Sequence, residues 1–185
     1  MALLKIGVLS DPHRRSDLQE EAVGKLLEEG AEYLLHAGDL CLEENLRQLA
    51  ETGLPYAAVF GNNDRPLHPL ADEYRIRPEP WYFRIGDLKV KMMHLPYYLT
   101  PDTDLVIYGH THRFAVEAKG ATLYLNPGEV CGRESGLCEA ALLEIDTANG
   151  KRRVHHLFRS LDPDSTWQKE TIDLGIPSDS GSADR

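Results

Sequence analysis

The chain has 185 residues, 42% of them hydrophobic, enough to bury the core of one domain. Its net charge of −10 excludes the basic footprint that sequence-independent binding of long nucleic acid requires. No stretch of 18 apolar residues and no basic, apolar leader is present, so neither a membrane span nor a secretory signal is expected, and the expected location is cytoplasmic.

Leu3 to Leu9 reads as a buried first strand ending in Ser10-Asp11-Pro12-His13. From Ser16, the apolar positions Leu18, Ala22, Val23, Leu26 and Leu27 recur at three and four residues, which predicts an amphipathic helix with Ser16 as N-cap and Gly30 as stop. Tyr33 to Ala37 is a short strand closed by Gly38-Asp39. A helix over Glu43 to Glu51 follows, then a strand over Tyr56 to Phe60 closed by Gly61-Asn62-Asn63-Asp64. Strand, helix, strand, helix, strand is the signature of a parallel sheet with helices on its faces. Arg65 to Arg77, rich in Pro, His and charge, reads as a small loop over a crevice mouth, leaving an open site.

Trp81 to Ile85 and Leu88 to Met92 are read as two strands joined by Gly86-Asp87, the second leading into His94. After a proline-marked loop, Asp104-Leu-Val-Ile-Tyr-Gly-His-Thr-His112 is an apolar strand tipped by two imidazoles. If strand geometry persists through that tip, the two histidines face one side about 6.6 Å apart. That separation suits two metals, which sit about 3.5 to 4 Å apart and each need ligands. Further hairpins are expected over Ala115 to Leu125 and, around Asn149-Gly150, over Glu139 to Phe158. The second half is thus mostly antiparallel. Residues 1–161 are expected to form one α/β domain of two mixed sheets face to face with helices outside, and 162–185 a polar tail that frays from Pro177.

Three apolar runs end in glycine followed at once by a potential ligand: Gly38-Asp39, Gly61-Asn62 and Gly109-His110, with Ser10-Asp11 a fourth lacking the glycine. Glycine allows a sharp turn with positive φ at a strand end. In open α/β sheets, ligands collect beyond the carboxyl ends of strands, so these ends converge on one crevice. The collected set is Asp11, His13, Asp39, Asn62, His94, His110 and His112. Carboxylate, imidazole and amide without thiolate suit a hydrolytic site for manganese, iron, nickel, cobalt or zinc. Asp39, with two oxygens to share, is assigned the bridging position. Cys41, Cys131 and Cys138, an odd number without CxxC spacing, are expected to be free packing thiols.

Asp11-Pro-His13, Gly38-Asp39, Gly61-Asn-Asn-Asp64, His94 and Gly109-His-Thr-His112 together resemble the calcineurin-like metallophosphoesterases, and within them the small bacterial and archaeal phosphodiesterase branch. The resemblance spans about Ile6 to Gly128 and includes Asn126-Pro-Gly128. It implies an α-β-β-α sandwich with a binuclear site. One metal would take Asp11, His13, Asp39 and His112, and the second Asp39, Asn62, His94 and His110. Two divalent cations, manganese first, would hold a bridging hydroxide that attacks a phosphoester, most simply a diester. Asp39, Asn62 and His110 are the residues expected to carry catalysis.

Two positions depart from the family pattern. Where many members carry a histidine able to protonate the leaving group, this chain has Asn63, which is no acid near neutral pH. His94 is followed by Leu95-Pro96 where members often have glycine. Among the remaining residues, His36 reads as a satisfied sheet histidine, His68 as an exposed loop residue, and His155 and His156 as structural. Asp64 is expected to hold a histidine or the loop behind the ligands. Asn63, Arg14, Arg65 and Arg113 are candidates for phosphate contact.

The expected partner is a small phosphoester, nucleotides included, with homo-oligomerisation left open. A monoester phosphatase is the alternative enzyme. The other alternative is the non-catalytic role of the related retromer subunit, a protein-binding scaffold that lacks much of the histidine set.

Overall fold

The computed structural model describes residues 3–177. Twelve strands form two sheets. β1 (Leu3–Leu9), β2 (Tyr33–His36), β3 (Tyr56–Val59) and β4 (Ile76–Arg77) are parallel, linked by α1 (Ser16–Glu28) and α2 (Glu43–Glu51). On the other side of β1 the sheet continues antiparallel through β10 (Leu137–Asp146), β11 (Arg152–Ser160) and β12 (Gln168–Gly175), giving the order β12-β11-β10-β1-β2-β3-β4. The second sheet runs β5-β6-β7-β9-β8, from β5 (Trp81–Ile85), β6 (Leu88–Met92), β7 (Leu105–Ile107), β8 (Phe114–Lys119) and β9 (Thr122–Pro127). β6, β7 and β9 are parallel neighbours in it, so both sheets are mixed, as expected.

Side-chain alternation assigns the faces. Ile6, Val8, Leu35, Ala57 and Val59 point from the seven-stranded sheet towards Val90, Met92, Ile107 and Leu125 of the other, making the middle of the sandwich. Leu9, Leu34 and Ala58 point the opposite way, onto Leu18, Ala22 and Leu26 of α1 and Leu46 and Leu49 of α2. Each fully buried Leu or Ile contributes about 1.5–3 kcal/mol. The α1 periodicity is as read, but Ser16 is already helical, and Arg15 stands at the N-cap without a capping side chain. Arg15 instead reaches forward to Asp17, at 2.7 Å.

Two segments differ from expectation. Residues 65–77 are not all loop: Arg65–Leu70 forms a 3-10 helix whose Leu67 is buried with the α1–α2 cluster, and β4 adds to the sheet edge. Pro66 and Pro69, read as loop markers, are tolerated by so short a helix. β12 lies within the expected polar tail; its Ile172 and Leu174 alternate with charged residues, which suits an edge strand. The expectation for 178–185 lies outside the described residues.

The α-β-β-α order is met through its first three layers. Over the outer face of the five-stranded sheet, the described residues place no helix. The segment after β6 crosses there, tied down by fully buried Lys91, whose Nζ donates to the Thr100 carbonyl at 2.9 Å and to Asp102 at 2.5 Å. Among the described residues no helix is long and apolar enough to cross a membrane.

Candidate metal centre

The carboxyl ends of β1, β2, β3, β6 and β7 open on one cleft of about 340 Å³, and all seven ligand candidates stand in or around it. Strand geometry does not persist through the His-Thr-His tip, because β7 ends at Ile107. Instead the ligand residues themselves turn left-handed: φ is 57° at Asp11, 50° at His13, 57° at Asp39, 67° at His110 and 57° at His112. This corrects the role expected of the glycines. Of the three, only Gly38 has positive φ, at 96°. Gly61 and Gly109 are required by close approach: a Cβ on Gly61 would stand 2.2 Å from Asp39 Oδ1, and one on Gly109 2.1 Å from Ser10 Oγ.

The cluster has two halves. In the first, Asp11 Oδ2 accepts from Ser10 Oγ at 2.6 Å and from the His110 backbone N–H at 3.1 Å. Its Oδ1 is buried without a hydrogen-bond partner, 3.2 Å from His112 Nε2 and 3.9 Å from His13 Nε2. The His13 and His112 rings stack at 5.2 Å with their Nε2 atoms 3.4 Å apart. In the second, Asn62 Oδ1 lies 3.0 Å from His94 Nε2 and 3.1 Å from His110 Nδ1. Asp39 Oδ2 stands between the halves, 3.7 Å from His13 Nε2 and 3.5 Å from His94 Nε2.

Electrostatics call for cations here. Burial alone would raise the Asp39 carboxyl, but the hydrogen bond and charge of His94 and the bonds from Asn63 outweigh it and lower its pKa. Burial opposes ionisation of Asp11 too, and His112, His94 and Ser10 overcome it. Asp11, ahead of Cys131 and Glu129, holds His112 far above the ordinary imidazole range, at about 11. His13 is lowered, chiefly by burial, which suits a neutral ligand. Asp11 Oδ1, buried beside the convergent Nε2 atoms, and two donor groups, one of Asp11, Asp39 and His94 and one of His13, His112 and Cys131, fit borderline divalent metals.

Residues 4–148 match the calcineurin-like phosphoesterase superfamily domain. The chain belongs to that superfamily. It is 28% identical over 156 residues to a phosphodiesterase of Methanocaldococcus jannaschii, an alignment covering 77% of this chain and 94% of the relative. A solved archaeal phosphodiesterase superposes with a TM-score of 0.70 at 24% identity, covering 91% of this chain and all of that one. The vacuolar protein sorting 29 structure of Cryptosporidium parvum superposes at 0.65 with 20% identity, covering 92% and 98%.

In this calcineurin-like phosphoesterase, the remaining sequence candidates fall into place by contact. Asn63 donates its side-chain N–H to Asp39 Oδ2 at 2.7 Å and its backbone N–H to Oδ1 at 2.9 Å. Asp64 accepts the Cys41 and Gly61 backbone N–H groups, each at 2.7 Å, and so holds loops rather than a histidine. Arg113 lines the cleft; Arg14 and Arg65 are exposed and not among its lining residues. His36 is buried and satisfied, facing Gln19 Oε1 at 3.0 Å and accepting the Gly38 N–H. His68 is exposed at the edge of Phe60. His155 faces Thr171, and His156 stacks on Phe114 at 3.8 Å. All three cysteines are free.

Three supporting residues escape a reading of motifs. Fully buried Glu129 holds His112 Nδ1 at 2.5 Å through Oε2, and the Cys131 thiol donates to the same oxygen, so Cys131 braces the site as well as packing. Burial opposes ionisation of Glu129, but His112 and the N–H groups of Ser135 and Glu134 bring its pKa down to about 2. Glu79 accepts the backbone N–H groups of His94 and Leu95 at 2.6 and 2.8 Å, fixing the turn that lacks a glycine after His94. Arg133 reaches the cleft from a loop after β9.

Proposed function

We propose that the chain is a binuclear metal-dependent phosphodiesterase. The observation that carries this is Asp39 Oδ2, within 3.7 Å of one histidine Nε2 and 3.5 Å of another on opposite halves of the cluster, the place a shared ligand must occupy. Asp11, His13, Asp39 and His112 would hold one divalent ion, and Asp39, Asn62, His94 and His110 the other, with manganese first and iron, nickel, cobalt or zinc as alternatives. Such ions, when bound, polarise phosphoryl oxygens and make water nucleophilic near neutral pH.

The chain's own residues position the rest. His94 Nδ1 is committed to the Ala37 carbonyl at 2.8 Å and His112 Nδ1 to Glu129, so each ring is left with Nε2 for the centre. Exposed His110 lines the cleft beside Asn62, where charge develops on the phosphoryl group. Asn63 orients Asp39 and offers no acid proton, so leaving groups that depart unprotonated are favoured. A small phosphoester, nucleotides included, fits a cleft of about 340 Å³. Three free thiols support a reducing, cytoplasmic setting.

The test is hydrolysis of bis(p-nitrophenyl) phosphate beside p-nitrophenyl phosphate, on chelated protein with manganese, nickel or zinc restored, next to His112→Ala. Metal-dependent diester cleavage lost in the variant is expected. Preference for the monoester would make the chain a phosphomonoesterase. No turnover with any metal, in folded protein, would favour the scaffold role.

A further inference from the structure

With Asn63 where a proton donor would serve, the cleft needs another group to meet substrate. Two arginines line it, Arg113 and Arg133. Arg133 Nη2 lies 3.3 Å from His112 Nε2, the one ring nitrogen that Glu129 does not hold. A guanidinium has only N–H groups to offer and keeps its charge at any working pH. It meets the cleft at the ring whose Nε2 also lies 3.2 Å from Asp11 Oδ1. His112 would hold a metal through Nε2, since its Nδ1 is committed to Glu129.

The backbone under Arg133 is built to stay there. Gly132, at φ 65°, and Gly136, at φ 74°, bound the loop, and the Gly136 N–H closes it on the Gly132 carbonyl at 3.1 Å. Glu129 Oε1 accepts three donors from within it: the Glu134 and Ser135 N–H groups, both at 2.6 Å, and Ser135 Oγ at 2.9 Å. One buried carboxylate therefore fixes both a metal-ligand imidazole and the loop that carries the arginine. By contrast, the guanidinium itself is loosely held. Its acidic neighbour, Glu134, comes no nearer than 3.6 Å and both side chains are exposed, so apart from the Nη2 contact to His112 the fork is open to a ligand.

We infer that Arg133 is a substrate-binding residue that grips the non-bridging phosphoryl oxygens at the His13–His112 half of the cleft. The inference rests on the phosphoesterase reading of the site and adds a role for a residue outside its motif set. Arg133 would take no part in proton transfer. Its fork suits two phosphoryl oxygens at once, which a lysine ammonium does not match.

Arg133→Ala, Arg133→Lys and wild type should be compared in three measurements: bound manganese after dialysis, inorganic phosphate binding to manganese-loaded protein by calorimetry, and kcat/KM over aryl phosphodiesters of graded leaving-group acidity. Expected for Arg133→Ala are unchanged manganese, phosphate binding weakened at least tenfold, and kcat/KM lowered ~10²-fold, the scale of losing one donor to a developing oxyanion. The loss should be equal across the leaving-group series, and Lys should restore only part of it. Phosphate affinity and kcat/KM within twofold of wild type would overturn the inference, as would loss of manganese in both variants, which would make Arg133 a support of the metal site. If wild type turns over no ester, the phosphodiesterase reading fails, and the phosphate arm still decides for or against Arg133 as an anion-binding residue.

Discussion

At the His13–His112 half of the cluster, the outer nitrogen of His112 meets a buried carboxylate at 2.5 Å; at the Asn62–His94–His110 half, the outer nitrogen of His94 meets a neutral carbonyl at 2.8 Å. A carboxylate partner raises the basicity of a ligand imidazole more than a carbonyl does. The second half is also the open one, with Asn62 and His110 both exposed. In the proposed two-metal centre the first half would hold its ion more tightly than the second.

The largest effect should come from the residue both halves share. Asp39→Ala is expected to lower metal-dependent phosphodiester hydrolysis by ~10³-fold or more, because in the proposed two-metal centre it would take charge away from both ions at once. Elemental analysis should find less than one metal per chain; two retained metals would remove Asp39 from the bridging position. Glu129→Gln should separate the halves, weakening the tighter of two manganese-binding events by ~10–100-fold while the weaker changes little. Equal weakening of both would mean that the carboxylate supports the cleft generally. Glu79→Ala, the corresponding change behind His94, frees two backbone N–H groups and should cost about 1–3 kcal/mol of stability in urea, with a smaller effect on metal binding than Glu129→Gln.

The last effect concerns pH and lies behind both halves. Burial holds His36 far below the ordinary imidazole range, at about 3. As pH falls from about 6.5 towards 3, the unfolded chain takes up a proton there that the folded chain refuses, so stability is lost through that window. The slope from this group is at most about 1.4 kcal/mol per pH unit. His36→Gln should flatten the acid limb of urea midpoint against pH; an unchanged limb would assign it to the carboxylates alone.

Much of this was legible in the chain. Apolar runs ending beside ligand-type residues located the strand ends, and convergence of those ends assembled Asp11, Asp39, Asn62 and His110 in one place. What escaped was what depends on neighbours distant in sequence. Glu129 is three residues past Asn126, and nothing in its local pattern pairs it with His112; an acidic residue in the stretch before Val130 and Cys131 was the signal available. Arg133 looks like any surface arginine until Gly132 and Gly136 are seen to shape its loop. The backbone of the His-Thr-His tip was misjudged because period-two alternation was carried past the end of β7. β12 was missed because an edge strand needs only two apolar contacts, Ile172 and Leu174.

Five of the seven ligand candidates sit in left-handed backbone, at φ between 50° and 67°. Asp and His tolerate that region better than branched residues, but each still costs about 1 kcal/mol or more. Backbone conformation alone would favour glycine at all five. Glycine at any of the five would relieve that local strain, so these side chains are held in place against the preference of their own backbone.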